Sequence, residues 1–142
     1  MSKKVQRVHC IQLWSECVRL RDKWCIITGE PQGEAHHLVP RSDGCWEIQF
    51  DTDYGVYLCA YCHKEAEYAA HVDEAAFNDK VIGFITDEAR RQKILKTLSR
   101  ATPVSSTSPP YDEIAARLVL ERNDRREQYE MDYDCCPREI WK

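Results

Sequence analysis

CIITGEPQGEAHHLVP (residues 25–40) and, after a short interval, YGVYLCAYCHKEAE (residues 54–67) place two adjacent histidines, His36 and His37, ahead of a Cys-x-x-Cys-His made by Cys59, Cys62 and His63. Imidazoles and thiols this dense in one short segment are the usual donors of a transition-metal site. The plainer alternative is surface histidines beside cysteines that fill an apolar core. Either half alone is weak; the ordered combination favours a metal.

Bulk properties narrow the remaining choices. A chain of 142 residues fits one domain with a modest core, and 43% hydrophobic with 31% charged residues is ordinary for a globular protein. No apolar run is long enough to cross a bilayer, so no membrane partner is expected. MSKKVQRVHC at the start lacks the apolar stretch of a secretion signal. The expected location is therefore cytoplasmic, where the 8 cysteines act as thiols or metal ligands rather than as a disulfide framework. A net charge of −4 does not advertise a polyanion binder. The charge is uneven, however: Lys3, Lys4, Arg7, Arg19, Arg21 and Lys23 face only Glu16 and Asp22, whereas residues 103–142 are net acidic. Such a basic front end can hold a phosphate backbone, although charge alone equally describes a solvated helix face.

Periodicity predicts an amphipathic helix from Val5 to Lys23, with Val8, Ile11, Trp14, Cys17 and Val18 near helical spacing. Residues 24–40 read as a β-hairpin, WCIIT and EAHHLV around a Gly29–Gly33 turn. Trp46–Phe50 alternates like a short strand, and a helix begins near Tyr61. Two further helices are expected over Asp73–Gly83 and Thr86–Arg100, the second capped by Thr86. PVSSTSPP has linker composition, and a last helix runs from Tyr111 to Tyr129.

Strand alternation sends His36 and His37 to opposite sides. One imidazole can then bind a divalent cation while the other, His37, stays free as a general base, a division suited to phosphodiester hydrolysis. His63, opening the helix, supplies a second imidazole, and Glu67 lies one turn further on the same face as another candidate ligand or a plain solvated glutamate. His71 and His9 carry no such motif. Cys10 and Cys17, seven apart on the first helix, read as core residues. Cys135 and Cys136 could bind metal or join chains, but read more simply as an accessible pair. Arg41 and Lys64, with Arg19 and Arg21, are the candidates for phosphate contact, each balanced by a purely solvated role.

AHHLVP followed by YGVYLCAYCHK resembles the ββα-metal fold of HNH (His-Me finger) endonucleases. The lead-in VRLRDKWCIITG is similar to that of the zinc-knuckle subgroup, including phage recombination nucleases of the Rap/NinG type. The resemblance covers about residues 17–68. It implies a DNA endonuclease with His37 as general base, and His36 and His63 holding a catalytic Mg²⁺ or Mn²⁺. It further implies that Cys25, Cys59 and Cys62 bind a structural Zn²⁺. Two positions differ from the pattern. Tyr54 stands where the family carries an asparagine that ties backbone across the loop, which makes Tyr54 a candidate active-site residue. Thr28 stands where a fourth cysteine is usual, leaving Cys45, Cys17, Cys10 or water for the last position.

The expected fold is α+β, a ββα-metal core with flanking helices. Its parts are a basic helix over residues 1–24, the core over 25–72, a helical extension over 73–102, a linker over 103–110, and a C-terminal helix with acidic tail over 111–142. The expected activity is metal-dependent DNA cleavage in phage-type processing or recombination. The alternative is an HNH-derived zinc module that has lost catalysis and binds DNA or a protein. A second copy of the chain, and a protein docked on the C-terminal helix, are further candidate partners.

Overall fold

Ser2 starts the first helix: its hydroxyl accepts from the Val5 N–H at 3.2 Å, and helix α1 (Lys3–Asp22) runs until Lys23 turns to φ 70°. The computed structural model describes residues 1–40 and 42–135, without the side chains of residues 70 and 132–135. The remaining elements are strand β1 (Glu34–His37), helix α2 (Trp46–Gln49), strand β2 (Gly55–Leu58), helices α3 (Ala60–Val72), α4 (Glu74–Ile82), α5 (Glu88–Leu98) and α6 (Tyr111–Cys135), and two 3-10 turns, Ser42–Gly44 and Thr52–Tyr54. The architecture is mixed α+β and mostly helical, with one small antiparallel sheet among the described residues.

The two strands pair in the register Glu34↔Leu58, Ala35↔Tyr57, His36↔Val56 and His37↔Gly55. Both faces of this ribbon are covered, so its alternation feeds two cores rather than one core and solvent. Val56 and Leu58 pack with Leu38, Ile48, Phe77, Val81 and Ile94. Tyr57 joins the other core, where Cys10, Trp14, Cys17 and Val18 of α1 meet Ile114 and Leu118 of α6. The buried stripe of α1 is thus centred on Cys10, Leu13, Trp14 and Cys17, while Val5 and Val8 are exposed.

Several expectations are corrected. EAHH pairs with residues 55–58, not with WCIIT. Residues 25–29 instead close into a tight turn, with Cys25 N–H on Glu30 O at 2.8 Å and Gly29 N–H on Cys25 O at 2.9 Å. One link to the sheet remains, Ile26 N–H to Tyr57 O at 3.1 Å. Trp46–Phe50 is a helical turn rather than a strand. Its alternation arises because Ile48 enters one core while Phe50 and Trp46 enter the other. Asp87, not Thr86, caps α5, accepting from Arg90 N–H at 3.1 Å. The stretch with linker composition is pinned along α2. Ser105 N–H donates to Gly44 O at 3.0 Å, and Trp46 N–H donates to the Ser105 hydroxyl at 3.0 Å.

Gly55 sits where this packing is tightest. A Cβ there would lie 2.4 Å from the Trp14 ring and 2.8 Å from a Val18 methyl. Gly55→Ala must push α1 off the sheet, and is expected to cost about 1–3 kcal/mol, read as a lower urea midpoint.

Candidate functional site

His37 closes β1 and is held on two sides. Its Nε2 lies 2.9 Å from Gln49 O. A carbonyl can only accept, so Nε2 carries the proton and Nδ1 keeps a free lone pair. The ring stacks on Trp14 with centroids 3.9 Å apart and planes inclined by 2°. Trp14 is itself fixed by Nε1–H donation to Asp51 O at 3.2 Å. Burial pushes the His37 imidazole below its ordinary value, against the opposing pull of the Gln49 carbonyl, and the Arg7 charge pushes the same way as burial. A neutral imidazole with one anchored nitrogen and one free nitrogen has the form of a general base.

His36 faces the other side of the ribbon. Its ring meets His63 edge-on at 5.5 Å and Phe77 at 6.3 Å. Burial first, then the neighbouring His63 and His37, hold the His36 imidazole down to about 4. It is neutral at pH 7, the state that binds a cation. Depression of a histidine also carries a stability consequence. Between about 6.5 and about 4 the unfolded chain binds a proton that folded His36 refuses. In the metal-free chain this residue therefore stabilises the fold above about 6.5. Its contribution declines as pH falls toward about 4, by up to roughly 3 kcal/mol. Urea melts across that window measure the decline, and His36→Leu is expected to flatten it.

His63 Nδ1 lies 3.5 Å from Glu34 Oε2. Glu34 is two residues before His36 and on the same strand face, so Glu34, His36 and His63 line one side of the ribbon. Period-two reading of EAHH was the available signal for Glu34, which sequence analysis passed over. Glu67 is exposed one turn along α3. These histidines and carboxylates do not form a converged three-donor set.

The cysteines do. Cys25, Cys59 and Cys62 are all buried, and their sulfurs lie within 4.8 Å of one another, the one such group of three among the described residues. Cys25 comes from the tight turn, Cys59 is the residue before α3, and Cys62 lies in its first turn. Burial acts to raise the Cys25 thiol, but hydrogen bonds from the Thr28 hydroxyl and the Cys59, Thr28 and Ile27 N–H groups prevail and bring it to about 7. Burial, then the adjoining Cys59 and Cys25, push Cys62 up to about 12. Three thiols this close cannot all ionise alone, and a cation removes that conflict. The group can hold a metal such as zinc.

Thr28 stands beside this trio, its hydroxyl 3.5 Å from Cys59 Sγ and its N–H 3.5 Å from Cys25 Sγ. None of the other cysteines considered for the fourth position joins the trio. Cys10 donates to Tyr111 O, Cys17 donates to Leu118 O, and Cys45 lies 3.4 Å from Glu47. Cys10 and Cys17 are packing residues of the α1–α6 seam, as their spacing suggested.

Two expected site residues have other tasks. Tyr54 is buried, and its hydroxyl shares a 2.8 Å hydrogen bond with Thr97 on α5 while Lys93 Nζ sits 5.3 Å from the ring centre. It offers no free group to a substrate. Arg21 does not face a phosphate; it donates to Thr52 O at 2.7 Å and Gly55 O at 2.6 Å, and is paired with Asp22. Arg19 and Lys64 are exposed and open to a polyanion. Arg41 and Cys136 lie outside the described residues, as does the Cys135 side chain.

No protein-family model, curated protein or solved structure matches the chain. No helix among the described residues is long and apolar enough to cross a membrane.

Proposed function

We propose that this chain is a divalent-metal-dependent DNA endonuclease of the HNH, ββα-metal type. The observation that carries the reading is His37: a neutral imidazole stacked on Trp14, with Nε2 tied to Gln49 O and Nδ1 left to accept a proton. His36 and His63, adjoining on the other face of the ribbon, would hold the catalytic metal, with Glu34 as the nearest carboxylate. When bound, Mg²⁺ or Mn²⁺ supplies stabilisation of the charge that develops on the phosphate and the leaving oxygen. His37 Nδ1 takes a proton from water as the water oxygen bonds to phosphorus and the bond to the leaving oxygen breaks. Cys25, Cys59 and Cys62 would bind Zn²⁺ and fix the turn against α3. Exposed Arg19 and Lys64 are the described candidates for backbone contact, and phage-type recombination or processing of branched DNA is the proposed setting.

A second reading has its own observation. The converged metal group is the cysteine trio, whereas the histidines lack a third converged donor. On that reading the chain is a zinc module that binds DNA or a protein without cutting. A metal titration of plasmid cleavage separates the two. The nuclease reading expects His36→Ala and His63→Ala to raise the metal concentration for half-maximal cutting by about tenfold or more. The zinc-module reading expects retarded but uncut DNA at every metal concentration.

A further inference from the structure

The segment joining α2 to β2 holds only one short 3-10 turn (Thr52–Tyr54), in which Tyr54 N–H bonds Asp51 O and Gly55 N–H bonds Thr52 O, yet every carbonyl from residue 49 to residue 55 has a partner. Loops ordinarily leave such oxygens to water. Three arginines from three different helices supply much of this. Arg21 of α1 donates to Thr52 O at 2.7 Å and Gly55 O at 2.6 Å. Arg90 of α5 donates to Asp53 O at 2.8 Å and to the same Gly55 O at 2.6 Å. Arg117 of α6 donates to Phe50 O at 2.8 Å. Trp14 Nε1–H and the Leu38 N–H take Asp51 O and Tyr54 O, and Gln49 O is the oxygen that anchors His37.

Two guanidiniums on one carbonyl is an unfavourable arrangement unless acids offset it. Asp22 pairs with Arg21, and the Asp51 and Asp53 carboxylates lie across the same loop, each 2.8 Å from Lys93. Burial, followed by the charge of Arg21, brings Arg90 down to about 10, against the pull of Asp22, Asp53 and Asp87. A closure so elaborate lies directly behind one imidazole. Gly55 is the register partner of His37, and Gln49 begins the clamped segment.

We propose that Arg21, Arg90 and Arg117 are positioning residues that hold residues 49–55 in one conformation and thereby lock His37 into its Nε2–H tautomer. The proposal rests on His37 as the base of the proposed nuclease for its catalytic consequence, but not for its structural content. It makes α5 and α6 working parts of the site rather than appendages to it.

The test uses full-length Arg90→Gln and Arg117→Gln, each shown by circular dichroism to be folded, with Arg90→Lys as the conservative variant. Long-range ¹⁵N NMR reads which His37 nitrogen carries the proton, and hydrogen exchange reads the Leu38 and Tyr54 amides that close the loop. The Gln variants are expected to give mixed His37 tautomers, amide exchange about tenfold faster, and lower kcat with unchanged KM. Arg90→Lys is expected to restore much of the wild-type tautomer. Folded Gln variants with an unaltered His37 ring and unaltered exchange overturn the proposal, whatever happens to cleavage. Arg117 is exposed and makes one hydrogen bond, to Phe50 O within the clamped segment, so its Gln variant is expected to fold and decides the matter even where Arg90→Gln does not fold. Absence of cutting by the wild type would sink the nuclease reading while leaving the NMR and exchange results to decide this one.

Discussion

His37→Ala is expected to lower kcat for DNA cleavage by about 10³-fold while leaving KM for DNA within about twofold. General-base catalysis contributes roughly 10²–10⁴-fold, and the site offers no obvious substitute. The Tyr54 hydroxyl is engaged with Thr97, and His36 lies on the opposite face of the ribbon beside His63. Loss of the ring also leaves Gln49 O without its donor and one face of Trp14 uncovered, so the variant must be compared at equal folded fraction. His37→Gln is the sharper control. Its amide can donate to Gln49 O as the imidazole does, but it cannot take a proton at neutral pH. Rates of His37→Gln equal to wild type would show that the histidine serves packing rather than chemistry.

Cys62→Ser is expected to release one equivalent of zinc and lower the unfolding midpoint by about 10 °C or more. The three sulfurs bridge the 25–29 turn to the start of α3. Without a cation, the group is three crowded thiols of which Cys62 resists ionisation up to about 12. Serine keeps the volume but removes the soft donor. The converse variant is equally informative. Thr28 already lies 3.5 Å from Cys59 Sγ, so Thr28→Cys is expected to complete a four-thiolate set and tighten zinc. Metal analysis of purified protein, with chelator competition, measures both. Equal metal content in wild type and Cys62→Ser would show that the trio is only core.

The residues that carry local chemistry were legible in the sequence, and the partners they find across the fold were not. The Cys-x-x-Cys at a helix start is local and short motifs encode it, whereas the meeting of Cys25 with Cys59 and Cys62 is long-range and was implied only by the family resemblance. Alternation in EAHH likewise gave opposite faces for His36 and His37. The strand partner was misread because β-branched Ile26 and Ile27 resemble a strand, while the bonds that close their turn involve backbone atoms of Cys25, Gly29 and Glu30. WEIQF was misread because period two also fits a single helical turn wedged between two cores. Charge makes Arg21 a candidate for DNA contact, but composition does not say whether a guanidinium reaches outward or, as here, into a loop. Trp14 behind His37 left no local trace, since the contact joins residues far apart in sequence.

The most direct test of the account is cleavage of plasmid and branched DNA by the zinc-loaded full chain in Mg²⁺ or Mn²⁺, beside an EDTA control and a melting curve on the same sample. Cutting that needs the divalent metal and disappears with EDTA is the expected result. Intact DNA under every metal, from a chain shown to be folded, would contradict it.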